Sequence, residues 1–111
     1  RIKMTVNNLI EKLNLKILAQ GDTDREITGG YCGDLLSWVM GRATEGCVWI
    51  TIMTNINIAA VGQLADVAAI IVAEGAVPDE NVLATAEDKG VNILLSDKTA
   101  FRTAVEIADD I

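Results

Sequence analysis

Three short segments of the chain are predicted strands, the first two of them apolar on both faces, and they constrain the fold more than any other feature. They cover residues 48–54, 67–72 and 91–95. A strand that is apolar at every position is covered on both faces, as the strands of parallel sheets are. Segments with helical spacing separate the three strands, and this alternation favours right-handed crossovers. We therefore predict an α/β fold, a small and mostly parallel sheet with helices packed on it.

Helix signals lie between and around these strands. Thr5 begins a predicted helix over residues 5–13, and a short strand follows at residues 16–19. Another helix is predicted over residues 78–89. Three further helices are expected to be capped by polar residues, which are Asp34, Asn55 or Asn57, and Ser96 or Asp97. The last of them is expected to bury the face formed by Phe101, Ala104, Val105 and Ala108.

The length of the chain indicates one core. It has 111 residues, of which 50% are hydrophobic, and a chain of this size is too short for two domains. We predict a single domain over residues 4–111. Residues 1–3 precede Met4 and are expected to be a remnant of expression or an unprocessed extension.

The charge and the apolar runs of the chain argue against two classes of partner. Nine Lys and Arg against 16 Asp and Glu give a net charge of −7, which repels the phosphate backbone of a nucleic acid. No apolar run approaches the ~18 to 20 residues that span a bilayer. We expect a cytoplasmic protein that binds neither nucleic acid nor membrane.

The residue types that usually carry catalysis are scarce. The chain has no histidine, and its two cysteines, Cys32 and Cys47, lie fifteen positions apart without a second pair. This spacing suits neither a zinc site nor a redox pair, so both are predicted to be buried, reduced thiols, with a redox sensor at Cys32 as the alternative. We predict no catalytic residue, no metal, no cofactor and no enzymatic activity of the chain's own.

The most specific motif is the stretch Asp24-Arg25-Glu26-Ile27-Thr28-Gly29-Gly30, which continues to Gly33 and Asp34. Consecutive N–H groups at the glycines could form a concavity for a phosphate or carboxylate, with Arg25 adding a guanidinium fork. Alternatively, the glycines permit an unusual backbone path at positive φ, and Asp24 pairs with Arg25 to hold the loop. The glycines lack the following Lys-Ser or Lys-Thr of a P-loop, so the structural role is favoured.

Polar residues also follow the predicted parallel strands. Asn55 and Asn57 come after the first, residues 73–75 after the second, and Ser96 and Asp97 after the third. Ligands of open parallel sheets bind beyond the carboxyl ends of the strands, which makes these loops a second candidate rim. The same residues also suit helix caps and turns, which is their commoner use. The candidate ligand-binding residues are Arg25, Thr28, Gly29, Gly30, Asn55 and Asn57.

The motif at residues 24–30, the apolar strand at residues 46–52 and the Asn55-Ile56-Asn57 segment together resemble the DRTGG domain family. The resemblance covers nearly the whole chain from Met4 onward. In that family the domain forms the N-terminal domain of some HPr kinase/phosphorylases, part of some phosphate acetyltransferases, and part of pyrophosphatases with CBS pairs. It implies a small α/β module. The residues that carry the motif are Asp24, Arg25, Thr28, Gly29, Gly30, Gly33 and Asp34.

The resemblance implies a regulatory or interaction module that controls a phosphotransfer or other metabolic enzyme. The small, apolar chain is expected to form a homodimer, because a short sheet leaves apolar area uncovered. A kinase, phosphotransfer or redox enzyme encoded nearby is a candidate partner. A sensor of a nucleotide or phosphorylated metabolite and a structural subunit of a larger complex remain alternatives. Trp38 and Trp49 are expected in the core, although a half-covered Trp would suit a partner surface.

Overall fold

The computed structural model describes residues 3–111, which form five strands and five helices. Residues 1 and 2, two of the three predicted to be a remnant or extension, lie outside this description. The elements are α1 (Val6–Leu13), β1 (Lys16–Ala19), β2 (Gly29–Cys32), α2 (Leu36–Arg42), β3 (Cys47–Thr51), α3 (Asn57–Leu64), β4 (Ala69–Val72), α4 (Glu80–Asp88), β5 (Ile93–Leu95) and α5 (Ala100–Ala108).

The strands form one sheet in the order β1-β5-β4-β3-β2. β2, β3, β4 and β5 are parallel to one another, and β1 joins β5 antiparallel at one edge. Every residue of β3 and β4 is buried, as their apolar sequences predict. The predicted α/β fold with a mostly parallel sheet is confirmed.

Helices cover both faces of the sheet. Trp49, Ile70 and Ile93 point to one face, where they pack with buried residues of α2, α3 and α4. Val48 and Ile71 point to the other face and pack with α1 and α5. The chain therefore passes from one face to the other after β5. None of the helices in residues 3–111 has both the length and the hydropathy needed to cross a membrane.

Two predicted elements at the start of the chain are confirmed in detail. Thr5 caps α1, because its hydroxyl oxygen accepts a hydrogen bond from the N–H of Asn8 at 3.2 Å, and the Asn8 carboxamide accepts one from the N–H of Thr5 at 3.0 Å. α1 ends at Asn14, whose φ is 53°. The strand predicted over residues 16–19 is β1.

Three local predictions are wrong. Gly29 and Gly30 do not form a turn at positive φ, because they begin the extended edge strand β2. Asp34 does not cap α2, which begins after Leu35 without a side-chain cap. The closing helix is capped by Thr99 rather than by Ser96 or Asp97, since the Thr99 hydroxyl accepts from the N–H of Arg102 at 3.0 Å.

The predicted buried face of the closing helix is also wrong. Phe101 is 75% exposed and Val105 is 44% exposed, whereas Thr103 and Ile107 are buried against the sheet. Thr103 is accommodated there because its hydroxyl bonds both the Ser96 hydroxyl and the Thr99 carbonyl, each at 2.8 Å.

Two further burial predictions are corrected. Cys47 is buried, but Cys32 is exposed because it lies on the edge strand. Trp49 is fully buried in the core, while Trp38 is 52% exposed on α2, where the Arg42 guanidinium stacks 3.8 Å from its ring centroid.

Candidate functional site

The motif at residues 24–30 lies at the amino end of the sheet, where it joins the start of α1 to β2. The N–H of Val6 donates to the Arg25 carbonyl at 3.0 Å, and the N–H of Ile27 donates to the Met4 carbonyl at 2.8 Å. The first helix is thereby anchored to the segment that leads into the edge strand.

Arg25 is held by Asp66, not by Asp24. One guanidinium nitrogen donates to the Asp66 carboxylate at 2.7 Å, and the other donates to the Asp66 carbonyl at 2.9 Å. Asp66 has a φ of 58° and precedes β4. Asp24 instead accepts a hydrogen bond from the Asn7 side chain at 2.9 Å. The predicted Asp24–Arg25 ion pair is therefore wrong, and Arg25 joins the loop before β2 to the loop before β4.

Thr28 holds the turn before β3. Its hydroxyl donates to the Glu45 carbonyl at 2.7 Å, and its backbone N–H donates to the Gly46 carbonyl at 2.9 Å. Gly46 is buried with a φ of +82°, and a Cβ there would lie 2.7 Å from the Thr28 hydroxyl oxygen. The position that needs glycine is therefore Gly46, which the motif does not include.

The electrostatic surroundings of Arg25 are acidic. The hydrogen bond that Arg25 donates to the Asp66 carboxylate, together with the charges of Asp66, Glu45 and Asp22, raises the pKa of Arg25. In return, the Arg25 guanidinium lowers the pKa of Asp66. Arg25 lines a shallow cleft with Glu26, Thr28, Glu45 and Gly46. An anion in this cleft would face the carboxylates of Glu26 and Glu45, and the Arg25 guanidinium there is already hydrogen-bonded to Asp66.

Gly29 and Gly30 have different surroundings. A Cβ on Gly29 would approach only the Thr44 hydroxyl oxygen, at 3.9 Å, so this site has room for a side chain. A Cβ on Gly30 would lie 3.2 Å from Cδ1 of Ile111, which packs over the strand. The absence of a side chain at Gly30 therefore leaves space for the Ile111 side chain.

Gly33 and Asp34 lie at the opposite, carboxyl end of the sheet. The Asp34 carboxylate accepts from the Thr51 hydroxyl at 2.6 Å and from the N–H of Ile52 at 2.9 Å. The Gly33 carbonyl accepts from the indole N–H of Trp49 at 2.9 Å. Both residues thus tie the loop after β2 to β3, and the Trp49 indole N–H is satisfied in the core.

Asn55 and Asn57 are also at the carboxyl end. The Asn55 carboxamide oxygen accepts from the N–H of Asn57 at 2.9 Å, just where α3 begins. The five residues of β3, at about 3.3 Å each, separate this end from Arg25 and Thr28 by roughly 16 Å. The structure therefore does not bring the six candidate ligand-binding residues into one site.

The crevice between the loops after β4 and β5 is closed by hydrogen bonds. These loops diverge because α4 and α5 lie on opposite faces. The N–H of Glu74 donates to the Lys98 carbonyl at 2.8 Å, and the N–H of Gly75 donates to the Ser96 carbonyl at 3.0 Å. The Glu74 carboxylate accepts from the N–H of Ala100 at 3.1 Å, in the first turn of α5. Glu74 therefore occupies the place where an anionic ligand would meet this helix end.

The thiols are not arranged for redox or metal chemistry. Partial desolvation raises the pKa of the exposed Cys32, with a smaller contribution from the Asp34 charge, and burial raises the pKa of Cys47. A raised pKa reduces the thiolate fraction that reacts at neutral pH. In the part of the chain from residue 3 onward, no group of three or more His, Cys, Asp or Glu side chains could hold a metal ion.

Sequence reasoning missed the residues that complete these contacts. Asp66, Glu45 and Glu74 are distant in sequence from the groups they bond. Asp66 and Glu74 both have a positive φ, although neither is a glycine. No sequence pattern predicts this backbone conformation.

Comparisons with known proteins support the fold. No family model matches the chain, and no curated protein matches it. A solved structure that matches is the CBS and DRTGG domains of the regulatory region of Clostridium perfringens pyrophosphatase, complexed with the activator diadenosine tetraphosphate, with a TM-score of 0.78 and 15% identity. The match covers 96% of this chain and 47% of that one, so the chain spans about half its length. At this identity the likeness concerns the fold, and the fold supports the DRTGG-like domain that the sequence motif indicates.

Proposed function

We propose that the chain is a non-catalytic regulatory module that acts in the cytoplasm by associating with a second copy of itself and with an enzyme that it controls. The observation that carries this proposal is the likeness of its fold, over 96% of its length, to a regulatory region rather than to a catalytic domain. The enzyme is one of phosphotransfer or phosphate handling, as the DRTGG-like motif suggests.

The contacts of the motif support a module without chemistry of its own. Both terminal nitrogens of the Arg25 guanidinium donate hydrogen bonds to Asp66, and the Thr28 hydroxyl donates one to the Glu45 carbonyl. Groups engaged in this way position loops and offer no free base or nucleophile. We therefore assign a structural role to the motif at residues 24–30.

The experiment is an activity assay of the enzymes encoded beside this chain, with kinases, phosphotransfer enzymes and redox enzymes taken first. Each is assayed alone and with increasing amounts of the purified chain. We expect a saturable change in the rate of one enzyme, complete near equimolar amounts. The matched control is the chain unfolded by heat, which should have no effect. No change with any of these enzymes, or turnover of a substrate by the chain alone, would contradict the proposal.

An effector-sensing function is the second candidate, and one observation favours it. The matching pyrophosphatase region was solved with the activator diadenosine tetraphosphate. The test is thermal unfolding of the chain in a series of diadenosine tetraphosphate concentrations. Binding at a hundred times the dissociation constant stabilises a protein by about 2.7 kcal/mol, so a sensor should show a melting temperature that rises with concentration. A flat response up to millimolar amounts would remove this nucleotide as the effector.

The variant Arg25→Gln locates such binding if it occurs. A site in the cleft beside Arg25 would lose its response to the nucleotide in this variant. An unchanged response, measured against the variant's own melting temperature, would place the site elsewhere.

A further inference from the structure

Helix α5 is apolar over more of its circumference than the sheet covers. At 100° per residue, buried Thr103 and Ile107 lie on one side, and the exposed Phe101, Val105 and Ala108 lie about 100–160° around the helix from them. A helix that packs only on a sheet needs a single apolar stripe. The second stripe therefore has no partner within residues 3–111.

The second stripe reaches the free edge of the sheet at Ala108. There, an apolar groove of about 290 Å³ is lined by Ala104 and Ala108 of α5, by Ile111 just beyond the helix, and by Gly30 and Cys32 of β2. Phe101 and Val105 are exposed on the same stripe and do not line the groove itself. We call the residues of this region the α5–β2 surface. They are Gly30, Cys32, Phe101, Ala104, Val105 and Ala108.

The edge strand beneath this surface has no protection against pairing. Within residues 3–111, β2 pairs only with β3, so the other side of its backbone faces no strand of this part of the chain. Its sequence, Gly-Gly-Tyr-Cys, has none of the lysines or prolines that usually guard an exposed edge. Gly30 and Cys32 are exposed on it.

We propose that the α5–β2 surface is where a second copy of this chain docks, by pairing its β2 antiparallel with this β2 and laying its α5 antiparallel against this α5. A two-fold axis perpendicular to the sheet produces both pairings at once. This inference rests on the proposed function, in which the module is a dimer, and it names the surface that forms the dimer.

Charge favours a second copy as the occupant. The chain carries a net charge of −7, so two copies repel each other wherever acidic residues meet. The six residues of the α5–β2 surface carry no charge. Of the acidic residues nearby, Glu106 pairs with Lys98 at 2.8 Å and Asp110 pairs with Lys12, while Asp109 is exposed just beyond the end of α5. The apolar residues of two copies can therefore meet here without a carboxylate among them.

The surface is also complementary to itself in size. Phe101 and Ala108 are seven residues apart, or about 10.5 Å along the helix. A two-fold axis between Ala104 and Val105 places each Phe101 over the small residue at position 108 of the second copy. That residue lines the groove of the second copy. A large side chain thus meets a small one twice in the same interface.

The first test is sedimentation velocity of the full chain over a range of concentrations. We expect a dimer for the wild type. Phe101→Asp, which puts a carboxylate against the apolar surface of the second copy, and Gly29→Lys, which adds a charge to the edge strand at a site with room for a side chain, should each raise the dimer dissociation constant at least about tenfold. The matched control is Leu64→Asp, at a 70% exposed position of α3, which should leave the constant unchanged. Urea unfolding of each variant confirms that it folds.

A charge-free exchange tests the predicted pairing of positions 101 and 108. Phe101→Ala and Ala108→Phe should each weaken the dimer, and the double variant should restore it, because the large and small partners are exchanged. A wild type that is monomeric at every concentration would overturn the proposal. So would a dimer unaffected by Phe101→Asp and Gly29→Lys, or a double variant no better than its singles.

The two proposals can fail separately. A monomer that still changes the rate of a neighbouring enzyme would overturn the docking surface and the self-association, and would leave the control of that enzyme standing. A dimer formed through this surface that affects none of those enzymes would overturn the regulatory function alone.

Discussion

Replacing Gly46 by Ala tests the contacts that organise the amino end of the sheet. Gly46 is buried at a φ of +82°, between the loop of the motif and β3. A Cβ at this position would lie 2.7 Å from the Thr28 hydroxyl oxygen and 3.2 Å from its methyl carbon. The Thr28 side chain therefore has to move, and its 2.7 Å hydrogen bond to the Glu45 carbonyl is lost or weakened.

The cost of this substitution has two parts. A non-glycine residue held in the left-handed region costs about 1–3 kcal/mol. Loss of the Thr28 hydrogen bond adds about 1 kcal/mol. We expect Gly46→Ala to lower the free energy of unfolding by about 2–4 kcal/mol. Gly29→Ala is the matched control, because Gly29 is extended and its Cβ would meet only Thr44, at 3.9 Å. It should be neutral or stabilising, by up to about 1 kcal/mol, through the unfolded chain.

The assay is urea unfolding followed by far-ultraviolet circular dichroism, in a double-mutant cycle with Thr28→Ala. Truncating Thr28 removes both the clash and the hydrogen bond, so Gly46→Ala should cost less in that background, about 1–3 kcal/mol. A larger loss from Gly29→Ala than from Gly46→Ala would refute this reasoning. Equal costs of Gly46→Ala in both backgrounds would refute the contribution of Thr28.

Three further predictions concern polar groups that join distant segments. Arg25 lowers the pKa of Asp66 in the folded protein, so the ionised carboxylate stabilises the fold above pH 3.8, and this stabilisation is lost as the pH falls through the lower folded pKa. Asp66→Asn should remove it. The urea midpoints of the variant should therefore lie below those of the wild type at pH 7 and converge with them as the pH falls to 3. Asn92→Leu leaves three backbone partners of a buried carboxamide unpaired and should cost about 3 kcal/mol in urea unfolding. Trp49→Phe removes the bond to the Gly33 carbonyl, should cost about 1–3 kcal/mol, and should shift the fluorescence maximum to the red because the remaining tryptophan is half exposed.

Local and periodic signals predicted much of the fold. The apolar sequences of β3 and β4 predicted strands covered on two sides, and the Thr5 cap predicted the start of α1. Such features depend on side-chain period and on contacts within one turn, so a sequence reveals them. The mostly parallel sheet follows from their alternation with helices.

β2 and the buried face of α5 could not be predicted in the same way. Gly29 and Gly30 have the composition of a turn, and only pairing with β3 makes them a strand. On α5, the side with Thr103 and Ile107 meets the sheet, although the other side is more apolar, and the buried Thr103 hydroxyl is satisfied there by the Ser96 hydroxyl and the Thr99 carbonyl. Both outcomes depend on contacts between segments that are far apart or on which face meets the sheet.

The candidate site differs from its prediction for a related reason. A motif that is contiguous in sequence suggests a single site. Here β2 lies in the middle of the motif, so the residues before the strand and those after it lie at opposite ends of the sheet. At the amino end, Arg25 and Thr28 bond the loops before β4 and β3. At the carboxyl end, Asp34 bonds the end of β3. The bonds of these three residues fix the edge strand to β3 and to the loop before β4, which is the role expected of residues flanking a four-residue strand with two glycines. The motif therefore holds β2 in place, while the exposed side of β2 remains available for association.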